Sequence, residues 1–361
     1  MFKRSLILII MAVAIFSLIL GCDKEPGAVV DDDEKKEYHD VLMELVESTN
    51  KFIANREVPV FSASEIFEKV IMRPDPNYYI VDLRESEDFL AGSIQGAVNI
   101  PYNTTWMPEQ IEKLPRDKLI ILVGYTGAEA SQTAAFWGML GFDVGVMNNG
   151  MLGWINETPE VCELGDNPVV TTPTGLNQTF SLPVIEVSGH LSLNEVLILK
   201  NESIFQNNRA GGLSGTQVYE KNLEEQQSYF ILDVRQREHY LSGHIEGAVN
   251  IPYGLLGIVS ELQKLPTDEQ IIVVCYSGHL ANMAARLLNQ LGYNAIAMTY
   301  GMSDWTTQVE VIGLQPVRCA WVSCYGDANF ERGFPVEKVE CDWGNLPTVV
   351  TRINVLDTGA G

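Results

Sequence analysis

One cysteine of this chain stands where a thiol could act as a nucleophile. Cys275 ends the apolar run 271–275, and a short polar loop, 276–278, separates it from a helical pattern that begins at His279. Such a run predicts a buried strand, so the thiol is expected beside the N–H groups and the positive dipole end of the following helix. Both features lower the pKa of a thiol and favour the thiolate, which is the nucleophilic form.

The chain contains a second copy of this region in which glycine replaces the cysteine. Residues 79–102 and 230–253 are identical at 14 of 24 positions, at a constant offset of 151. The same offset holds over about 75 residues, which indicates a tandem duplication. The equivalent of Cys275 in the first copy is Gly124, so that copy has no thiol at this position.

Each copy alternates apolar runs with helical patterns. This predicts an α/β fold, with a mainly parallel sheet flanked by helices in each copy. Ligands of such sheets bind beyond the carboxyl ends of the strands, which is where Cys275 is expected. In the second copy we expect strands at 229–234, 248–251, 270–275 and 294–298, and helices at 255–265 and 279–291.

Four motifs of the second copy occur in a characteristic order. They are Asp233-Val234-Arg235, the Gly-His-Ile-x-Gly-Ala-x-Asn-Ile-Pro run at 243–252, the loop that starts at Cys275, and Gly-Met-x-x-Trp at 301–305. Together they resemble rhodanese-like sulfurtransferases. The resemblance covers both copies and implies two rhodanese-like domains, the first inactive and the second active.

The resemblance also implies roles for individual residues. Cys275 would be the catalytic residue and would carry sulfane sulfur as a persulfide, without a cofactor or a metal ion. Asp233 and Arg235 also occur in the first copy as Asp82 and Arg84, where the thiol is absent, which favours a structural role for both pairs. The expected substrate-binding loop consists of Tyr276, Ser277, Gly278, His279, Leu280 and Ala281.

The loop departs from many relatives at its sixth position. Those relatives carry Arg or Lys there, where it can hold an anionic donor such as thiosulfate, whereas this chain has Leu280. Slow thiosulfate turnover or a different donor is therefore expected. Ala281 follows, so no arginine clamps a phosphate and phosphatase activity is not expected. His279 is expected either to supply part-time positive charge or to face solvent at the helix start.

The first copy is expected to act as a scaffold that shapes the entrance to the active site. Its loop keeps the pattern from Gly124 to Ala130 without the thiol. Glu129, taken as the counterpart of His279, predicts a negative charge at the rim. Anion binding by this loop is the alternative.

The N-terminus resembles a bacterial lipoprotein signal. A basic start precedes the apolar run 5–20, and Leu18-Ile19-Leu20-Gly21-Cys22 resembles a lipobox. This predicts lipidation of Cys22, with an ordinary signal peptide or an uncleaved anchor as alternatives. The expected location is lipid-anchored in the cell envelope and facing the periplasm, on either the inner or the outer membrane, where disulfides can form.

Four further cysteines lie outside the duplicated cores. Their even number predicts disulfides that staple irregular segments, although a relay dithiol of the 319/324 pair is an alternative. The cysteines are Cys162, Cys319, Cys324 and Cys341.

The glycine-rich segment 207–216 is a candidate lid. The predicted organisation is a signal peptide at 1–21, a flexible tether at 22–37, rhodanese-like domain 1 at 38–158, a linker at 159–190, rhodanese-like domain 2 at 191–308 and a disulfide-bearing C-terminal extension at 309–361.

The predicted function is that of a membrane-tethered envelope sulfurtransferase. Its partners would be a small sulfur or selenium donor, a thiol acceptor, the membrane through the N-terminal lipid, and an envelope protein. The alternatives are a non-catalytic rhodanese-like binding module and a selenium-handling protein. The formal net charge of −23 argues against nucleic acid as a partner, because nucleic acid is itself negatively charged.

Overall fold

The computed structural model describes residues 32–55, 58–155, 167–176, 178–187, 189–221 and 229–313, with side chains described from Val41 onward except at Val309. Several predictions fall outside the described residues. These are the signal peptide, the lipidated Cys22, the first part of the tether, the C-terminal extension from residue 314 onward, and the cysteines Cys162, Cys319, Cys324 and Cys341.

The first half of the described chain follows the predicted alternation of strands and helices. Its helix α1 begins within the segment predicted as a flexible tether. Two acidic residues, Asp32 and Asp33, open it, where the helix N-terminus favours negative charge, and the Glu and Lys residues that follow favour helix. The elements are α1 (Asp32–Asn55), β1 (Val60–Phe61), α2 (Ala63–Ile66), β2 (Tyr78–Asp82), α3 (Ser86–Ala91), β3 (Val98–Asn99), α4 (Pro108–Ile111), β4 (Leu119–Val123), α5 (Ala128–Met139), β5 (Val144–Met147) and α6 (Gly150–Ile155).

The second half repeats this order of elements. Short 3-10 turns precede α4 and α10 at equivalent places. The elements are α7 (Leu193–Gln206), β6 (Gly212–Leu213), α8 (Gly215–Tyr219), β7 (Phe230–Asp233), α9 (Arg237–Ser242), β8 (Val249–Asn250), α10 (Val259–Leu262), β9 (Gln270–Val274), α11 (His279–Gln290), β10 (Asn294–Met298), α12 (Met302–Trp305) and α13 (Val309–Ile312).

Each half forms one five-stranded parallel sheet. The strand orders are β1-β5-β4-β2-β3 and β6-β10-β9-β7-β8, so the two sheets have the same topology. The registers agree as well, since Val81 pairs with Val98 in the first sheet and Leu232 pairs with Val249 in the second. The predicted α/β fold with two parallel-sheet domains is therefore confirmed.

Two local predictions for the second domain are wrong. The helix expected at 255–265 shrinks to α10, which is preceded by a 3-10 turn at Tyr253–Leu255. The segment 207–216 is not a lid, because it contains β6, which pairs in parallel with β10 at the sheet edge. Ser214 then caps α8 with a capping box. The glycine-rich segment therefore leads into an edge strand of the second sheet.

The two domains share a continuous hydrophobic core. Helices α5 and α11 pack against each other, and every residue from Ala130 to Met139 and from Ala281 to Gln290 is buried. Helix α1 adds Leu45 to this core. Because α5 and α11 each follow the loop after the central strand of their sheet, their packing brings the two equivalent loops to one interface.

Within the described ranges, no helix combines the length and the apolar character needed to cross a membrane.

Candidate active site

The central strand β9 delivers Cys275 to the carboxyl end of its sheet. Strand β9 ends at Val274, and helix α11 begins four residues after Cys275. The thiol is almost completely buried, at 1% exposure. Its Sγ accepts a hydrogen bond from the backbone N–H of Gly278 at 3.1 Å. The loop therefore curls around the sulfur, as expected for a turn that leads into a helix.

Gly278 makes this curl possible. Its φ is +102°, a backbone conformation that side chains rarely adopt. A Cβ at this position would lie 1.6 Å from the carbonyl oxygen of Thr299. The loop consequently passes over the end of β10 at a distance that only glycine permits.

The closing Gly-Met-x-x-Trp motif holds the loop from the other side. The N–H of Met302 donates to the carbonyl of Cys275 at 2.8 Å, and the N–H of Ser303 donates to that of Tyr276 at 3.0 Å. Gly301 allows this approach, because a Cβ there would lie 2.5 Å from the Cys275 carbonyl oxygen. The first turn of α12 thus fixes the backbone on which the thiol is mounted.

A buried ion pair supports the neighbouring strand end. Arg235 Nη2 contacts Asp233 Oδ2 at 2.6 Å and also donates to the carbonyl of Gly243 at 2.8 Å. In the first domain Arg84 makes the same contacts, with Asp82 at 2.7 Å and the Gly92 carbonyl at 2.7 Å. A pair that is retained beside a loop without a thiol fits a structural role.

Burial acts against ionisation of the thiol. It raises the pKa of Cys275, whereas the backbone N–H groups of Ala281, Gly278 and Ser277 act in the opposite direction. The sequence predicts that the loop lowers the pKa of the Cys275 thiol, and this prediction is wrong. The predicted N–H groups are present, but the pKa is raised. The cause is the desolvation of the thiolate in a closed loop, which outweighs its hydrogen bonds.

The other loop residues take different positions. The Tyr276 hydroxyl accepts a hydrogen bond from the N–H of Gln236 at 3.0 Å and lies 2.9 Å from His239 Nδ1, so the start of α9 holds this side chain. Ser277 is partly buried beside the interface with the first domain. Leu280 packs against the hydrophobic core. Leu280, one of the residues of the predicted substrate-binding loop, therefore contributes to packing of the core.

His279 connects the two domains. Its Nδ1 lies 2.8 Å from Ser131 Oγ, and its Nε2 lies 2.8 Å from Asn148 Oδ1. Burial lowers the pKa of His279 to about 4, so the ring is neutral near pH 7. The expected positive charge is absent because the ring is neutral, and the side chain is partly buried against the first domain at the start of α11. Its contacts with Ser131 and Asn148 leave the side chain only partly exposed.

The loop of the first domain holds a carboxylate in place of the missing thiol. A Cβ on Gly124 would lie 2.5 Å from Glu129 Oε2. Burial raises the pKa of Glu129, and the backbone N–H groups of Glu129, Thr126 and Tyr125 oppose this shift. The constant offset pairs Glu129 with Leu280 and not with His279, whose counterpart is Ala128. The loop thus binds its own side chain, which argues against a free anion-binding role.

A small cleft lies between the two equivalent loops. The first domain contributes Thr126, Gly127, Ala128 and Asn149, and the second contributes Ser277, Gly278, His279, Asn282, Thr299 and Tyr300. Gly278 therefore lines the cleft while its N–H contacts the buried Sγ. None of the lining residues is a lysine or an arginine.

Sequence reasoning missed the groups that the first domain contributes. Ser131 and Asn148 have no signal in the sequence, because their role depends on how α5 packs against α11. Glu129 had a detectable signal, since an acidic residue five positions after Gly124 can reach back into a loop that lacks the thiol. Among the described residues no cluster of three or more His, Cys, Asp or Glu side chains could hold a metal ion.

Comparison with known proteins identifies the domains. A model of the rhodanese-like domain matches residues 65–157 and 216–308, which is just over half of the chain. Bacillus subtilis YrkF, whose name describes a sulfur carrier protein, is 34% identical over 95 residues, covering 26% of this chain and 50% of YrkF. Bacillus subtilis YtwF, whose name describes a sulfurtransferase, is 28% identical over 102 residues, covering 28% of this chain and 95% of YtwF.

Among solved structures, a rhodanese-related protein of Thermoplasma volcanium is 25% identical, with a TM-score of 0.24, covering 27% of this chain and 90% of that protein. The chain spans about half of the length of YrkF and 23% of the length of the adenylyltransferase and sulfurtransferase uba4 of Ogataea parapolymorpha. The two matched ranges begin after β1 and β6 and contain the other four strands of each parallel sheet. The chain therefore belongs to the rhodanese-like family, with two rhodanese-like domains in tandem.

Proposed function

We propose that this chain is a sulfurtransferase that carries sulfane sulfur as a persulfide on Cys275. The observation that carries this proposal is the position of Sγ inside a loop of backbone donors. The N–H of Gly278 lies 3.1 Å from Sγ, and the N–H groups of Ser277 and Ala281 also favour its charged form. The names of YrkF and YtwF point in the same direction.

The loop suits the two half-reactions of sulfur transfer. In the first, the Cys275 thiolate attacks the sulfane sulfur of the donor, so that an S–S bond forms and the bond to the leaving group breaks with its electron pair. In the second, an acceptor thiolate attacks the outer sulfur and releases the Cys275 thiolate. A persulfide is anionic near neutral pH, and convergent N–H groups stabilise such an anion without a cationic side chain.

Intact-protein mass spectrometry tests the proposal. The full-length chain and Cys275→Ser are incubated with thiosulfate, with a hydropersulfide, and with selenite plus thiol. We expect wild type to gain one sulfur or selenium atom that dithiothreitol removes, and Cys275→Ser to gain none. The selenium arm decides whether the carrier also handles that element.

A non-catalytic binding module is the second candidate. The near-complete burial of Cys275 and its raised pKa favour this reading. If no donor modifies Cys275 while iodoacetamide alkylates it, the sulfurtransferase proposal fails and the binding module remains.

We also propose, on the sequence alone, that lipidation of Cys22 anchors the chain in the cell envelope facing the periplasm. Cys22→Ser is expected to move the protein from the membrane fraction to the soluble fraction. Unchanged fractionation contradicts the anchor.

We propose that the four cysteines outside the cores form two disulfides. Peptide mapping under non-reducing conditions is expected to find Cys162, Cys319, Cys324 and Cys341 in cross-linked peptides. Finding all four as free thiols contradicts this pairing.

A further inference from the structure

The loop that holds the Cys275 sulfur is itself held by a side chain of α11. Asn282 Nδ2 donates to the carbonyl of Gly278 at 3.0 Å, and the backbone N–H of Asn282 donates to the same carbonyl at 2.9 Å. The N–H of Gly278 donates to Sγ at 3.1 Å. Gly278 has no side chain to restrict its backbone angles, so its orientation depends on contacts of this kind.

The first domain bonds to Asn282 in turn. Gln132 on α5 is buried, and its Nε2 donates to Asn282 Oδ1 at 3.0 Å. Gln132 Oε1 accepts a hydrogen bond from Arg286 Nη2 at 2.9 Å. A line of hydrogen bonds therefore starts at Arg286, crosses the domain interface twice through Gln132, and reaches the Gly278 carbonyl through Asn282.

The two ends of this line fix its direction. A backbone carbonyl only accepts hydrogen bonds, and a guanidinium only donates them. The amide of Asn282 must therefore turn its NH₂ group toward Gly278 and its oxygen toward Gln132. The last torsion of an asparagine side chain is soft, so an Asn282 amide without this partner can rotate and release the Gly278 carbonyl.

The thiol-free loop has the same bond, made by a different side chain. Ser131 is the counterpart of Asn282 at the constant offset of 151, and its hydroxyl donates to the carbonyl of Gly127 at 2.8 Å. In both domains the fourth residue after the loop glycine thus holds the carbonyl of that glycine. Serine makes this bond without an amide that has to be oriented.

We propose that Asn282 is a positioning residue for the reaction of Cys275, and that Gln132 of the thiol-free domain sets the orientation of its amide. This rests on the sulfurtransferase function proposed above. Together they hold the Gly278 N–H on Sγ, where it stabilises the thiolate that attacks the donor and that leaves when the acceptor takes the outer sulfur. The first domain thereby contributes to the chemistry without touching the sulfur.

Four variants of the full-length chain test the proposal. Asn282→Ala and Gln132→Met each break the line, and Asn282→Ser supplies the hydroxyl that Ser131 uses in the other loop. Asn201→Leu is the matched control. Asn201 Oδ1 accepts from Arg286 Nη1 at 2.9 Å, so Gln132→Met and Asn201→Leu each remove one acceptor from the same buried guanidinium, but only Gln132→Met breaks the line to the loop.

The rate of alkylation of Cys275 by iodoacetamide is measured against pH, on the peptide that contains this residue. Urea denaturation of each variant gives its stability separately. The ionisable groups around the thiol include Asp233 and Tyr276, which are the same in every variant. A shift in the midpoint pH therefore reports on the hydrogen bonds to the sulfur, which a loss of stability alone does not change.

We expect the midpoint pH to rise by about 0.5–1 pH unit in Asn282→Ala and in Gln132→Met, because the thiolate loses part of a hydrogen bond. In Asn282→Ser and Asn201→Leu it is expected to stay at the wild-type value, although Asn201→Leu lowers the free energy of unfolding. If Gln132→Met does not fold, Asn282→Ala against Asn282→Ser still decides the role of Asn282.

Equal midpoints in Asn282→Ala and Asn282→Ser overturn the proposal. An unchanged midpoint in Gln132→Met, or the same shift in Gln132→Met and Asn201→Leu, overturns the role of the first domain. Loading of Cys275 from cysteine hydropersulfide is followed in parallel by mass spectrometry and is expected to be slower in Asn282→Ala than in Asn282→Ser. Absence of loading in wild type overturns the sulfurtransferase function itself, whatever the midpoints are.

Discussion

The two loop glycines form a natural pair for measuring how much steric room the loop after Cys275 has. Gly127 and Gly278 occupy equivalent positions before α5 and α11, with φ of +95° and +102°. Alanine at either site must adopt a left-handed conformation, which costs about 1–2 kcal/mol. Because the two sites share this cost, their difference isolates the space around each added methyl group.

The space differs between the two sites. A Cβ on Gly278 would lie 1.6 Å from the carbonyl oxygen of Thr299, so backbone must move, whereas a Cβ on Gly127 would lie 3.2 Å from His279 Cε1. Forcing a methyl group against fixed backbone adds about 1–3 kcal/mol. Gly278→Ala is therefore expected to lower the free energy of unfolding by about 1–3 kcal/mol more than Gly127→Ala.

Urea denaturation followed by tryptophan fluorescence measures this difference, with both variants compared to wild type under one buffer condition. The m values of the variants serve as the control, since equal slopes show that the same surface unfolds. Equal destabilisation by the two substitutions refutes the reasoning, because it would mean that the close approach to Thr299 is not retained in solution.

Three further outcomes follow from the site. Arg235→Met leaves Asp233 buried without its ion pair and is expected to cost about 3–5 kcal/mol in urea denaturation; a cost below about 1 kcal/mol contradicts the buried pair. Because burial raises the pKa of Cys275, the neutral thiol dominates near pH 7. The rate of alkylation of Cys275 by iodoacetamide is expected to rise with pH, with a midpoint pH above that of free cysteine. A midpoint pH below that of free cysteine contradicts this. A double-mutant cycle of Asn148→Ala and His279→Ala is expected to yield a coupling of about 0.5–1.5 kcal/mol, and additive effects contradict a direct bond between the domains.

Much of the fold was predictable because it depends on local patterns. Strand β10, helix α11 and the sheet end at Cys275 follow from apolar runs, helical spacing and glycine positions that can be read along the chain. The duplication was visible from one offset and required no structural information. Segment 207–216 was not predictable, because two residues that pair at a sheet edge carry too little periodicity to distinguish a strand from a loop.

The sequence by itself determined the candidate nucleophile Cys275, the loop that encloses it, and the absence of a thiol at Gly124. Each of these depends on residues within a few positions of one another. Only the tertiary structure decided the electrostatics of the site, because they arise between residues that are far apart in the chain. Packing of α5 against α11 makes His279 a neutral link to the first domain, and the approach of Thr299, Gly301 and Met302 closes the loop around Cys275. Desolvation then raises the pKa of the thiol, although local geometry alone predicts that it falls.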